Sequence, residues 1–325
     1  MIGIFRLKNS SNVLLLLMYA LALKFNLFLH PSMPLRQPED NYLYTGLINF
    51  LQPLNLPTIF YSFLVFALLF SQATLFNRIC NTQKMLAKPT YLPAMSFILI
   101  TSLLPEWNVF SAPLVINSLL IWIYFRMILL YNSQKAASSI FNIGVVMGIV
   151  TLFYQPAILF VLLIWLALYI MRPFVIREWL IGLLGLTTPY YFLGIILYLT
   201  NKWDWKKVIP SLNFSLPALP SSIFFTISVV LLVLAFIIGG FYVQTNLSKM
   251  LIQVRKNWSL LLLFLIISTF IILVNGGENY ENWLLCAIPL AAFHAAAYYY
   301  PPNKIFPLVL HWNIFAYAIY LNYWH

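Results

Sequence analysis

Acidic residues are the scarcest chemistry in this chain: seven Asp and Glu among 325 residues, against 18 Lys and Arg. Charged residues of both signs make up 8%, hydrophobic residues 62%, and the mean hydropathy is +0.89. That excludes a soluble globular protein, in which about half of the residues are apolar. Cysteine is limited to Cys80 and Cys286. No Cys/His cluster has zinc-ligand spacing. The two cysteines map to opposite membrane sides in the topology below, so no disulfide is expected and the redox compartment is not readable. Also missing are the alternating pattern of outer-membrane strands, an internal repeat, a low-complexity tract and a soluble domain. The net charge of +11 would suggest nucleic acid in a soluble chain. Here the cations are spread through short loops, where they read as topology signals and contacts to anionic lipid head groups. No nucleic-acid partner is expected.

What the chain does have is long apolar runs, such as 13–23, 223–238 and 260–274. With their flanks they can cross a hydrocarbon layer of about 30 Å as helices, the form that satisfies its own backbone in lipid. The fold class is all-α, a polytopic transmembrane bundle. Eleven spans are expected, at about 12–30, 56–76, 90–104, 108–131, 139–155, 156–172, 178–199, 222–243, 258–275, 284–299 and 305–323. The basic start and first apolar run resemble a signal peptide. The run reaches about Leu29 without a small-residue cleavage site, so a retained first span is expected. Twelve cations, from Arg6 to Lys304, then fall in inner loops against four (Arg36, Lys202, Lys206 and Lys207) in outer ones. This bias places the N-terminus inside and the C-terminus outside, a multi-pass layout of a bacterial inner membrane with the periplasm outside. Lys24 and Arg126 sit within spans, near enough to the ends to snorkel. Gly144 and Gly148 form a small-residue face on one span, and Gly182 and Gly185 offer a close approach on another. Pro189, Pro289 and Pro307 interrupt three spans.

In that orientation six of the seven acids face outward: Glu39, Asp40, Glu106, Asp204, Glu278 and Glu281, with Glu178 alone inside. The first outer loop, about 31–55, carries Glu39-Asp40 between a proline-rich exit and a stretch with Leu47, Phe50, Leu51 and Leu54 on one face. Ile48 widens that face, and Pro53 and Pro57 limit a short helix lying on the membrane surface. A carboxylate held there can accept a proton from an incoming hydroxyl or bind a metal ion. Alternatively, Asp40 or Asn41 merely caps the surface helix. Glu106, in the tight turn Leu104-Pro-Glu-Trp-Asn-Val109, suits a ligand or base, or equally a favourable charge at the start of the next span. Glu278 and Glu281, beside Asn279, Tyr280 and Trp283, suit a divalent cation or sugar hydroxyls, or are ordinary solvated turn residues.

Positive charge shares the outer face. Arg36, Lys24, His30 and the Lys202–Lys207 run, with Lys206 and Lys207, can clamp a lipid-linked phosphate. Trp203 and Trp205 read as aromatic-belt anchors. His294 and His311 lie within spans and read as hydrogen-bonded packing residues.

Together these residues resemble the GT-C superfamily of membrane glycosyltransferases: one span, an acidic first outer loop with interfacial helices, then paired hairpins with short turns. The resemblance covers about residues 12–199 and implies a seven-span module, 1–199, followed by a variable four-span part, 200–325. It implies that Asp40, with Glu39 beside it, is the catalytic base or metal ligand, in the order Glu-Asp where Asp-Glu is commoner in the family. Glu106 matches the family's second acidic position. The stretch from Phe141 through Gly144 and Gly148 to Pro156 is similar to the family's Gly-rich span and apolar return. The implied reaction is transfer from a polyprenyl-phosphate-linked sugar at the periplasmic face. Arg36, His30, Lys206, Lys207, Tyr280 and Trp283 would contact substrate, and Glu106, Glu278 and Glu281 would hold a divalent cation. The chain is also similar to uncharacterised multispan inner-membrane proteins of Bacteroidota, a likeness that supplies no function. Two other readings compete. One is a non-catalytic subunit of an envelope secretion or assembly complex, with membrane-protein partners. The other is a lipid or small-molecule transporter, which lacks the expected acid deep within a span.

Overall fold

A computed structural model describes residues 2–7, 9, 11–201, 217, 222–274 and 280–324. Among the described residues the protein is helical, with no strand beyond one isolated bridge between Asp40 and Tyr154. Two short helices open the chain, α1 (Ile2–Phe5) and α2 (Asn12–Lys24), the latter extended by α3 (Asn26–Leu29). Then come α4 (Tyr42–Leu51), α5 (Thr58–Thr82), α6 (Leu92–Ile100), α7 (Ala112–Ile128), α8 (Ala136–Phe153), α9 (Val161–Met171) and α10 (Ile176–Leu199). The last four are α11 (Ile223–Asn246), α12 (Ile252–Ile272), α13 (Ala287–Tyr299) and α14 (Ile305–Trp324).

Six of these helices (α5, α8, α10, α11, α12 and α14) are long and apolar enough to cross a membrane. The expected spans at 90–104 and 284–299 take a different form. The first holds only α6, whose nine residues are all buried and rise about 14 Å, under half the thickness of a hydrocarbon layer. The second begins with a 3-10 stretch, Tyr280–Cys286, and continues as α13, buried from Ala287 to Tyr298. α6 and α13 pack against each other at the centre of the bundle, and α11 covers α13. Their apolar sequence answers to burial in protein rather than to contact with lipid. The core therefore runs across residue 199: α13 sits on α6, and α12 sits on α9.

Small residues set the closest approaches. α8 lies against α10 with Gly144 facing the carbonyl of Gly182 and Gly185 facing the carbonyl of Phe141, so a Cβ at either glycine would strike backbone. This is the packing the glycine spacing predicts. Gly239 of α11 faces the carbonyl of Phe293 in the same way. The prolines behave less uniformly than their positions in the expected spans suggest. Pro189 lies inside α10. Pro289 is the third residue of α13, just after the 3-10 stretch, and Pro307 falls in the first turn of α14, where a missing N–H is one of the orphan donors anyway.

One clamp fixes an end of α8. Arg172, just past α9, reaches Glu178 in the first turn of α10 through two bonds, Nε–Oε2 at 2.8 Å and Nη2–Oε1 at 2.7 Å. Its Nη1 donates to the Ser133 carbonyl at 2.7 Å, just before α8. The other end of α8, about 27 Å away along an 18-residue helix, meets the loop that carries Asp40.

Candidate functional site

α8 stops because Pro156 cannot continue it, which leaves its last carbonyls without helical partners. The first loop supplies those partners. Asn41 N–H donates to Phe153 O and Gln155 N–H to Glu39 O, both at 3.0 Å, which makes the Asp40–Tyr154 bridge. The Asn41 side chain works in two directions. Its Nδ2 donates to the Thr151 carbonyl at 2.9 Å, and its Oδ1 accepts from Tyr42 N–H at 2.8 Å, at the N-terminus of α4. Capping thus falls to Asn41, and Asp40 is left for other work. Its Oδ2 accepts from Gln37 N–H at 2.7 Å, while its own N–H donates to Gln37 O at 3.1 Å. That closes a tight turn over residues 37–40.

Two further segments reach the same place. The 3-10 turn Pro105–Asn108 buries Trp107, whose Nε1 donates to the Tyr280 carbonyl at 3.0 Å. That bond fixes the start of the 280–286 stretch, which carries Glu281. The Gln37 side chain then spans the gap, Nε2 to Glu281 Oε2 at 3.4 Å. Gln37 therefore holds Asp40 with its backbone and Glu281 with its amide. The Asn282 side chain lies beside the Tyr154 hydroxyl.

The electrostatics follow from burial among like charges. Burial pushes the Asp40 carboxyl up to about 7; the Gln37 N–H and the Arg36 charge pull it down, and the Glu39 and Glu281 charges push it up. Burial also raises Glu281, opposed by its own backbone N–H and reinforced by Glu106 and Glu39. Glu39 is raised by burial against the pull of its own backbone N–H. Among the described residues no donor reaches Asp40 Oδ1 or Glu106 Oε2, although both atoms are buried. A carboxyl near neutrality with a free buried oxygen is suited to exchanging a proton with a hydroxyl.

The model of DUF6427, a family of unknown function, matches residues 42–323. The chain belongs to this family. No curated protein and no solved structure matches it. The DUF6427 match takes in Glu106, Tyr154, Gln155 and Glu281 and begins just past Gln37, Glu39 and Asp40.

Of the residues singled out from the sequence, this DUF6427 chain brings Glu39, Asp40 and Glu281 within electrostatic reach of one another, and Glu106 within reach of Glu281. Arg36 is exposed; its Nη2 bonds Asn49 Oδ1 at 3.0 Å and Gln52 Oε1 at 3.1 Å, tying the loop to α4 and the 3-10 turn after it. His30 is exposed at the end of α3 and is not among the charges acting on Asp40. Tyr280 and Trp283 pack around Phe225, with ring centroids 5.1 and 5.3 Å from it. Glu106 also lines a cavity of about 120 Å³ with Ser222, Phe225 and Ser228. Lys206, Lys207 and Glu278, with Lys202, Trp203, Asp204, Trp205 and Asn279, lie outside the described residues. Among the described residues no three His, Cys, Asp or Glu side chains are placed to hold a metal ion.

Three sequence expectations change. Lys24 does not snorkel: it is buried, and its Nζ donates to the Thr101 carbonyl at 3.0 Å and to Asn108 Oδ1 at 2.7 Å. α6 ends at Ile100, and the lysine serves the carbonyl freed there as well as the Glu106 turn. On the surface helix, Ile48 is the one member of the expected apolar face that is buried. α4 buries Tyr44 and Ile48 and exposes Phe50 and, beyond its end, Leu54. The Tyr44 hydroxyl lies 2.9 Å from the Leu35 carbonyl and 3.0 Å from that of Phe110. Finally, His294 Nε2 meets the Leu232 carbonyl at 2.9 Å, but buried His311 packs on Tyr19 and Tyr298 and, among the described residues, has no hydrogen-bond partner for either ring nitrogen. Gln37 had no sequence signal beyond lying near the acids it serves.

Proposed function

We propose that this protein is a multi-pass protein of a bacterial inner membrane, N-terminus in and C-terminus out, whose Asp40 end faces the periplasm and catalyses glycosyl transfer of the GT-C kind. The observation that supports this reading is the Asp40 carboxyl, titrating near 7 with a free buried oxygen, inside a group that includes Glu281 and Glu106. In the proposed step Asp40 takes the proton of an acceptor hydroxyl. The acceptor oxygen forms a bond to the sugar's anomeric carbon as the bond from that carbon to the phosphate oxygen breaks. The polyprenyl phosphate leaves with the electron pair. Arg36, anchored on α4, is the nearby cation that would meet the phosphate. Burial, with the Glu39 and Glu281 charges, keeps Asp40 a stronger base than a solvated aspartate.

The test is transfer of radiolabel from a polyprenyl-phosphate hexose to acceptors in a membrane extract, using protein in nanodiscs. Wild type should transfer label with a rate rising through about pH 7, and Asp40→Asn should lower it by about 10²-fold or more. Label transfer no higher than in empty nanodiscs, or an unaltered rate in Asp40→Asn, refutes the reading. A non-catalytic subunit is the second reading, favoured by α10, of which only Gly182, Gly185 and Leu197 are buried. Stoichiometric partners in mild detergent, lost on placing Arg at Leu184 or Tyr191, would favour it.

A further inference from the structure

At the Arg172 end of the bundle, α5 and α7 leave a groove of about 410 Å³ between them, within the roughly 300–1,000 Å³ of ligand sites. Each wall is one helical stripe. Leu75, Arg78, Ile79 and Thr82 recur at i, i+3, i+4 and i+7 on α5, and Ser118, Ile121, Trp122 and Phe125 do so on α7. The walls are therefore hydrocarbon and aromatic over most of their length. Two arginines close the groove at one end: Arg78, one turn before the end of α5, and Arg126, in the last turn of α7.

Neither arginine has an acid. Among the described residues the one ion pair is Arg172–Glu178. The Arg126 guanidinium is held over the Trp122 ring, 5.4 Å from its centroid, and its buried Nε has no hydrogen-bond partner among the described residues. Arginine at a helix C-terminus offsets the helix dipole, but that explains neither a second arginine in the same groove nor the apolar channel leading away from both. A buried guanidinium N–H calls for an acceptor, and two guanidiniums at the mouth of an apolar channel match an amphiphile with a negative head and a hydrocarbon tail.

We propose that this groove binds one anionic phospholipid, its phosphate between Arg78 and Arg126 and an acyl chain along Leu75, Ile79, Trp122 and Phe125. The site differs from the Asp40 cluster and does not depend on what that cluster does. In the orientation given by the cation bias, this end lies in the cytoplasmic leaflet, where anionic head groups gather.

Native mass spectrometry of the full chain, released from micelles with either phosphatidylglycerol or phosphatidylcholine, tests this. Wild type should retain one phosphatidylglycerol about tenfold more strongly than phosphatidylcholine. Arg78→Gln with Arg126→Gln should remove that preference, whereas Lys135→Gln with Lys304→Gln, which neutralises two cations away from the groove, should leave it intact. Equal losses in both double variants would mean diffuse attraction to a cationic face and would overturn the proposal. So would full retention in the arginine variant. If the arginine variant aggregates, Leu75→Trp fills the channel while keeping both charges. It should lower retention of long-chain phosphatidylglycerol severalfold, and unchanged retention would overturn the proposal.

Discussion

The two ends of α8 treat a carboxylate in opposite ways. At one end Glu178 meets Arg172 through two short bonds, and the guanidinium also ties down the Ser133 carbonyl. At the other, Asp40 is buried under the charges of Glu39 and Glu281, and the cation acting on it, Arg36, is bonded to the amides of Asn49 and Gln52 instead. Lys24 lies buried below the Glu106 turn, yet it serves a carbonyl and an amide oxygen, not an acid. The same functional group is thus a fastener where a planar cation faces it and a stored cost where other carboxylates do. Withholding cations from a cluster of acids lowers stability and raises basicity together.

This contrast can be broken most drastically from a distance. Gly185→Val places side-chain carbon against the Phe141 carbonyl and drives α10, with Glu178, off α8. It should cost about 4 kcal/mol or more, seen as loss of folded yield in nanodiscs. Glu178→Gln removes one partner of a mostly buried pair and should destabilise by about 2 kcal/mol in thermal unfolding at neutral pH. The like-for-like change at the opposite end should have the opposite sign. Because the folded carboxyl of Asp40 titrates near 7 and a solvated one near 4, the folded state binds the extra proton between those pH values. Stability should therefore fall as pH rises from about 4 to about 7 and level off above that. Asp40→Asn should abolish that fall and stabilise the protein by about 2 kcal/mol at pH 8, with little effect below pH 4. A destabilised Asp40→Asn at pH 8 would mean that the acids are not in conflict. The smallest effect is expected from Glu281→Gln. Removing one repelling charge should lower the Asp40 titration by about half a pH unit, read from the carboxyl infrared band.

Much of this was legible from residue order. Long apolar runs marked the lipid-sized helices, and four-residue glycine spacing marked the α8–α10 contact, because both signals are local. Apolarity alone could not tell lipid from protein surroundings, so α6 and α13 read as spans although they form the buried centre. The gathering of acids on one side was also readable from charge bias. Which of them meet was not, since Glu106 and Glu281 are joined to the first loop only through Trp107, Tyr280 and Gln37. Residue order does not assign the cap between Asp40 and Asn41 either, because the partners that decide it lie on α8. Asn41 becomes the cap because its amide can both donate to Thr151 O and accept from Tyr42 N–H, which a carboxylate cannot do.

That double role of Asn41 makes the surface helix and the end of α8 a single mechanical joint. One side chain closes both helix termini, so α4 cannot lift from the bundle without fraying α8 and releasing the turn that holds Asp40. The amides at the start of α4 and those that close the end of α8 should then exchange hydrogen at a common rate, as one cooperative opening. Bilayer thickness or lateral pressure acting on Phe50 and Leu54 would reach the carboxylate cluster through that joint.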